Sequence, residues 1–275
     1  MPSQSEKANR FRALHEREGA FIIPNPWDVG SARLLAHVGF EALATTSSGV
    51  AFNLGRPDGH VTRAEKLAHC RALCEATDLP VSADLEKCFA DDPAGVAETI
   101  RLAAATGLVG GSVEDSTGDP ANPIFAFDLA VERVRSAVAA ARAQSFPFTL
   151  TARAENLLHG RRDMADTIKR LQAFEAVGAD VLYAPGLATI EEVRAVVSAV
   201  GKPVNVLLIG AAKDFTQATL AAAGVKRISV GGGLSRIAYG AVLTAAQEMK
   251  DKGTFGFTFG GVSNKELNTI FGKWV

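Results

Sequence analysis

The chain has 275 residues, 47% hydrophobic and 21% charged, and its 29 Lys plus Arg nearly balance 30 Asp plus Glu, for a formal charge of −1. Such a chain is not disordered, collagenous or coiled-coil, and its length suits one α/β barrel of about 250 residues better than two ordinary domains. With no cationic footprint, nucleic acid and anionic membranes are not expected as partners.

Residues 1–20, MPSQSEKANRFRALHEREGA, scatter charges with no apolar run, unlike a signal peptide, and positions 4–18 read as a helix. Short apolar runs then alternate with longer Ala/Leu/Arg-rich segments. The runs are AFIIP (20–24), EALATT (41–46), PVSAD (80–84), VGGSVE (109–114), PFTLTA (147–152), DVLYA (180–184), PVNVLLI (203–209) and KRISVG (226–231). Each is bounded by Gly, Pro or Asp and apolar on both faces, as a strand buried in a parallel sheet should be.

Between them, helices are predicted at 30–38 after the cap Asp28, at 63–77 behind the capping box Thr62–Glu65, and at 94–106 after Asp92-Pro93. Further helices follow at 127–144, 163–177, 189–200, 214–223 and 235–250. Gly39, Gly107, Gly178 and Gly224 stand where a left-handed residue would turn each helix back toward the next strand. Eight strand–helix units argue for a (β/α)8 TIM barrel, an α/β fold. An open doubly wound sheet is the alternative, disfavoured because no early GxGxxG follows a strand. The whole chain, 1–275, reads as one domain: an N-terminal helix (1–19), the barrel (20–250), and a Gly/Phe-rich tail (251–275) that could pack on a neighbouring subunit.

Three cysteines, Cys70, Cys74 and Cys88, cannot frame a disulfide scaffold and suit a reducing cytoplasm. No run of 18 apolar residues suggests a membrane span. Cys70 and Cys74, one turn apart, read as core residues. Cys88, in a loop, reads either as a packed small residue or as a reactive thiol.

Barrel chemistry sits where strands end. Those positions carry Asn25, Trp27 and Asp28; Ser47, Ser48, Gly49, Asn53 and Asp58; Asp84, Glu86, Lys87 and Cys88; Glu114, Asp115 and Ser116; Arg153, Glu155 and Asn156; Pro185-Gly186; Gly210; and Gly231–Gly233. Carboxylates from the second, third and fourth strands face one arginine from the fifth. Gathered carboxylates repel unless a proton or cation lies between them. The five histidines form no HxH or HExxH pair, so an oxygen-only ligand set predicts Mg2+, with Mn2+ as the alternative. Arg153 offers a planar fork for a substrate carboxylate or phosphonate. The plainer readings are that Asp84, Asp115 or Glu155 caps a helix, that Arg153 only pairs with Glu114, and that Ser48-Gly49 is only a tight turn. Gly231–Gly233 reads as a phosphate cradle or as close backbone packing.

The ordered set NPWDVGSARLLAHVGFEALATTSSGVAFNLGRPD, PVSADLE, GSVED and TARAE resembles the isocitrate lyase/phosphoenolpyruvate mutase superfamily over about residues 20–240. The resemblance implies a Mg2+-dependent barrel acting on 2-oxo or 2-hydroxy acids through an enolate-like pyruvyl unit. It implies that Ser48, Gly49 and Val50 bind the substrate, with Trp27, Arg153 and Asn205 beside them. Asp58, Asp84 and Glu114 would hold the metal, and Arg153, Asp58 and Glu114 would serve catalysis. It also implies a homo-oligomer, dimer or tetramer, exchanging its last helix. Three departures stand out. Ser82 replaces the first acid of the family's Asp-x-Asp. The lyases' KKCGH loop is replaced by STGDPANPIFAFD, which lacks Cys, Lys and His, although Asn122 lies near the place of the mutases' gating Asn. The His that mutases carry after the sixth strand is also absent from YAPG. The expected activity is therefore a Mg2+-assisted C–C lyase or decarboxylase on a small 2-oxo or 2-hydroxy di- or tricarboxylate. C–P chemistry of the mutase or phosphonopyruvate hydrolase type is one alternative, and a non-catalytic 2-oxo acid-binding barrel is another.

Overall fold

A computed structural model describes residues 2–209 and 215–275. Gly210 and the first position of the helix expected at 214–223 lie outside the described residues. Eight parallel strands, β1 (Phe21–Ile23), β2 (Leu43–Ala44), β3 (Val81–Asp84), β4 (Gly110–Glu114), β5 (Thr149–Arg153), β6 (Val181–Tyr183), β7 (Val204–Leu207) and β8 (Arg227–Ser229), lie in the order β1-β8-β7-β6-β5-β4-β3-β2. The gap between β1 and β2 is closed by the Ala44 N–H donating to the Pro24 carbonyl at 3.1 Å and by Asn25 Nδ2 donating to the Thr45 carbonyl at 3.1 Å. The fold is the expected (β/α)8 barrel.

Its helices are α1 (Gln4–Glu16), α2 (Val29–Val38), α3 (Ser47–Asn53), α4 (Arg63–Ala76), α5 (Pro93–Ala104), α6 (Phe127–Arg142), α7 (Met164–Ala176), α8 (Ile190–Ala199), α9 (Gln217–Ala222), α10 (Gly233–Lys252) and α11 (Asn264–Phe271). The caps named from sequence hold: Asp28 accepts from the Ser31 N–H, Thr62 from Glu65, and Asp92 from Gly95. Gly39, Gly107, Gly178 and Gly224 all have positive φ, which only glycine adopts without cost.

The core lies between the sheet and the helix ring, where Leu43, Leu73, Ile100, Leu150, Leu171 and Phe174 are fully buried. α1 seals the N-terminal mouth. Phe11 is wholly buried there, and Lys7 Nζ donates to the carbonyls of Cys74 and Thr77 at 3.3 and 2.7 Å. Among the described residues, no helix is long and apolar enough to cross a membrane. All three cysteines are buried and free. Burial pushes Cys88 up to about 12, so the packed reading holds for it, as it does for Cys70 and Cys74.

Candidate active site

The strands end around a cavity of about 150 Å3 inside the barrel, walled by Asn25, Ser47, Ser48, Asp84, Arg153 and Arg227 among others. At Ser47 and Arg153 it meets an outer cleft of about 400 Å3, lined by Asp58, Glu86, Glu114, Glu155 and His159. A continuous cross-strand register sets the inner wall. Glu114 pairs with Arg153, Arg153 with Tyr183, Tyr183 with Asn205, and Asn205 with Arg227. Laterally paired residues point to the same face of a sheet, so these five side chains form one row.

Arg153 is the hub. Its Nη1 donates to Asp84 Oδ1 at 2.8 Å and its Nε to Glu155 Oε1 at 2.9 Å, while Nη2 lies 3.2 Å from Glu114 Oε2. The guanidinium carbon sits 5.0 Å from the Tyr183 ring centre. Burial alone would raise Asp84, but the charges of Arg153 and Lys66 hold it below its ordinary value. Glu114 and Glu155 are both raised, by burial first. The plain salt-bridge reading of Arg153 is thus true but incomplete, since three carboxylates share it and two of its five N–H groups remain free for other partners.

Local backbone strain marks the loop after β3. Glu86, Cys88 and Phe89 have φ of 53°, 60° and 54°, a left-handed conformation that costs an ordinary residue about 1–2 kcal/mol. It holds Glu86 facing the cleft with Oε1 buried and without a hydrogen-bond partner among the described residues. Burial, and then the neighbouring Asp84, push the Glu86 carboxyl up to about 7. Behind it, Lys66 on α4 is 0% exposed, and its Nζ has no hydrogen-bond partner among the described residues.

This donor set fits a divalent cation. Asp84, Glu86, Glu114 and Glu155 are four carboxyl groups served by two cations, Arg153 and Lys66, and the raised Glu86, Glu114 and Glu155 show that all four do not ionise together in this poorly solvated place without a further cation. No three such side chains among the described residues converge tightly enough to cage an ion by themselves. Mg2+ does not require that, because it keeps several waters and touches one or two carboxylates.

The sequence-predicted residues divide by position. Ser48, Asp84, Arg153 and Asn205 line the inner cavity, and Glu114 the cleft. Asp58 stands exposed on the cleft rim, where its Oδ1 accepts from the Gly59 N–H at 3.0 Å. Trp27 and Val50 are not on the cavity wall. Val50 is buried in a small cluster with Ala51 and Val61, and the Trp27 carbonyl accepts from His69 Nε2 at 3.0 Å. Gly49 lies against Trp27, where a Cβ would come within 2.8 Å of the Trp27 Cβ. Ser48-Gly49-Val50 is not a simple turn but the first part of α3, capped by Thr46. Gly232 closes on the Ser48 hydroxyl so tightly that a Cβ would overlap it, which favours the packing reading of Gly231–Gly233.

Asp84, Asp115 and Glu155 do not cap the helices that follow them. Asp115 accepts from the Glu155 N–H at 2.8 Å and from Arg170 Nη1 at 3.0 Å, stapling β4 and β5 to α7. Asn122 is exposed, within hydrogen-bond reach of Asp119. Residues outside the predicted set are Ser47, whose N–H donates to Asp84 Oδ2 at 3.3 Å, and Lys66, Glu86, Glu155, Tyr183 and Arg227. Glu86 and Glu155 were visible as strand-end acids. Lys66 and Arg227 were visible only as charges within a predicted helix and a predicted strand.

Residues 11–250 match the family model described as phosphoenolpyruvate phosphomutase. The chain belongs to that family. Similar members include a Burkholderia cenocepacia J2315 structure provisionally described as a lyase/mutase. It is 58% identical, with a TM-score of 0.95 over 98% of this chain and 96% of that one. Oxaloacetate decarboxylase of Paraburkholderia xenovorans (strain LB400) is 30% identical over 94% of this chain and 87% of its own. The structure of oxaloacetate acetylhydrolase with its product oxalate is 25% identical, with a TM-score of 0.88 over 99% of this chain and 96% of that one. The proteins it resembles are thus described as a mutase, a decarboxylase and an acetylhydrolase of small acids.

Proposed function

We propose that the barrel is a divalent-cation-dependent lyase that breaks the C–C bond one carbon removed from the carbonyl of a small 2-oxo dicarboxylate of the oxaloacetate class, with decarboxylation as its simplest outcome. The observation that supports this most is the excess of carboxyl groups over cations around Arg153, where the inner cavity of about 150 Å3 meets the outer cleft. A cavity of that volume takes a benzene-sized ligand and is small for a tricarboxylate. The 30% identity to an oxaloacetate decarboxylase supports the same class.

Asp84, Glu86, Glu114 and the rim residue Asp58 would hold Mg2+ together with its waters; Mn2+ suits the same oxygens. Bound there, the cation would supply Lewis-acid polarisation of the substrate carbonyl. The chain's own groups do the rest. The Ser47 and Ser48 hydroxyls meet the carboxylate and oxo oxygen at the cavity mouth. The Arg153 guanidinium adds fixed positive charge where the enolate oxygen develops, in a site already shielded from water. On cleavage, the bonding electrons pass into the carbonyl, CO2 leaves, and the enolate carbon takes a proton. No strong acid is needed for CO2 to depart, which agrees with a loop lacking the lyases' Cys and His.

The test is a panel of oxaloacetate, malate, 2-methylisocitrate and phosphonopyruvate with Mg2+ or with chelator, following CO2, pyruvate, oxalate and phosphate. Oxaloacetate should be consumed only with the cation. Arg153→Ala should lower kcat by about 10²–10³, the usual cost of losing such a donor. Release of phosphate alone, or binding without any turnover, would overturn the reading.

A further inference from the structure

Arg227 is the second guanidinium of the inner cavity, and nothing in the carboxylate cluster accounts for it. It opens β8, is 6% exposed, and stands three strands along the interior row from Arg153. Three spacings at about 4.8 Å place the two backbones roughly 14 Å apart along the sheet. Both side chains reach into the same cavity. Unlike Arg153, Arg227 has no carboxylate partner among the described residues. Its Nε donates to Asn205 Oδ1 at 2.9 Å and its Nη2 to Thr151 Oγ1 at 3.0 Å. Both acceptors are neutral. Three of its five N–H groups remain, and Nη1 is buried without a partner.

An isolated buried charge is expensive, and removing one partner of a buried pair costs several kcal/mol. Arg227 stands in that condition in the free protein. Burial lowers it to about 10, so it stays charged at neutral pH. Tyr183, two strands along the row, is raised by burial and is therefore a neutral phenol there. Asn205 is itself fixed by donating from Nδ2 to Ser229 Oγ at 3.0 Å, so the guanidinium is held in one orientation with no anion to face. A missing counter-charge, a rigid cradle and a cavity wall in one place indicate an anion subsite.

We infer that Arg227, held by Asn205 and Thr151, binds the far carboxylate of the substrate, so the barrel selects dicarboxylates over monocarboxylates. This rests on the proposed reaction for the near end of the substrate, which lies at Ser47, Ser48 and the cation. The two ends then account for both guanidiniums of the cavity: Arg153 for the developing enolate and Arg227 for the second carboxylate.

The test is thermal stabilisation of the wild type, Arg227→Met and Arg227→Lys, all with Mg2+, by malonate, pyruvate and inorganic sulfate. Steady-state kinetics on oxaloacetate accompany it. In Arg227→Met, malonate should bind at least 10-fold more weakly and the KM for oxaloacetate should rise by a similar factor. The kcat should not fall, because Arg227 holds the carboxylate that departs as neutral CO2 and so stabilises the bound substrate more than the transition state, and pyruvate binding should change less than 2-fold. Arg227→Lys, which keeps the charge without the fork, should recover part of the loss. Equal weakening of malonate and pyruvate in both variants would show a merely structural role. Unchanged malonate affinity would mean that Arg227 is satisfied from within the fold, for instance by a water shared with the unpartnered His15 Nε2, whose ring lies within reach of its charge. Either result sinks the proposal, as does sulfate protecting as well as malonate in an Arg227-dependent way. Should the wild type turn over no 2-oxo acid while malonate still binds through Arg227, the subsite stands and the proposed reaction falls.

Discussion

Glu86 shows how a single residue carries both cost and use. Its left-handed backbone and unpartnered buried oxygen oppose folding. The ionised carboxyl is harder to hold in the native state than in the unfolded chain, because burial raises it from 4.5 to about 7. The native state therefore binds more protons than the unfolded state between those values, and stability falls as pH rises through that window. The full effect is at most on the order of 3 kcal/mol. Glu114 and Glu155 shift in the same direction, adding to the loss. A divalent cation should relieve the repulsion once the carboxylates are ionised. Mg2+ is therefore expected to raise Tm more at pH 8 than at pH 5.5, as read by differential scanning calorimetry. Glu86→Gln should flatten the fall in Tm between pH 5 and 7 and lower turnover at least 10-fold. A Tm profile in Glu86→Gln that matches the wild type would remove Glu86 from the charged cluster.

At the scale of elements, the strained loop after β3 needs an external hold, and α6 provides it. Arg133 is almost wholly buried, with Nη1 donating to the Ala90 and Asp91 carbonyls at 2.5 and 2.7 Å and Nη2 to the Lys87 carbonyl at 2.8 Å. Its guanidinium also stacks 4.2 Å from the Phe125 ring centre. Arg133→Met keeps the bulk but strands three carbonyls, so it should cost about 2–4 kcal/mol in urea unfolding. Hydrogen exchange at residues 86–91 should speed up, and turnover should fall with it because Glu86 loses its fixed position. Slow exchange there in Arg133→Met would show that the loop is held by other means. This support was not legible from sequence, where Arg133 looks like any solvent-facing helix arginine.

Across the whole molecule, the barrel is closed at one end by α1 and extended at the other side by α10. Of the 20 residues of α10, only Ser235 is buried, and Ile237, Val242 and Leu243 are 71%, 65% and 71% exposed. A surface helix of a lone barrel would turn such residues inward. α11 rests instead on α2 of its own chain, with Ile270 buried and Arg33 5.7 Å from the Trp274 ring. The exposed apolar face of α10 supports the proposed homo-oligomer. Sedimentation should show a dimer or tetramer that Ile237→Glu combined with Leu243→Glu breaks down, while each released barrel keeps its secondary structure. A wild type that sediments as a monomer at micromolar concentration would refute this.

The sequence by itself determined the barrel: the alternation of eight strands with helices, the helix caps, the turning glycines and the acids at the strand ends are all encoded by local pattern, because buried parallel strands and capped helices have short-range signatures. It also placed Asp84, Glu114 and Arg153 at one mouth through the rule that barrel chemistry gathers there. Only the tertiary structure decided which charges meet. Arg153 bridges three carboxylates from β3, β4 and the end of β5, Asp115 goes to a staple with Arg170, and Trp27 and Val50 stand behind the wall. It alone showed that, among the described residues, Lys66 Nζ is buried without a hydrogen-bond partner and Arg227 without a carboxylate to face. Electrostatic pairing depends on distances between residues tens of positions apart, and no periodicity in a linear chain records those distances.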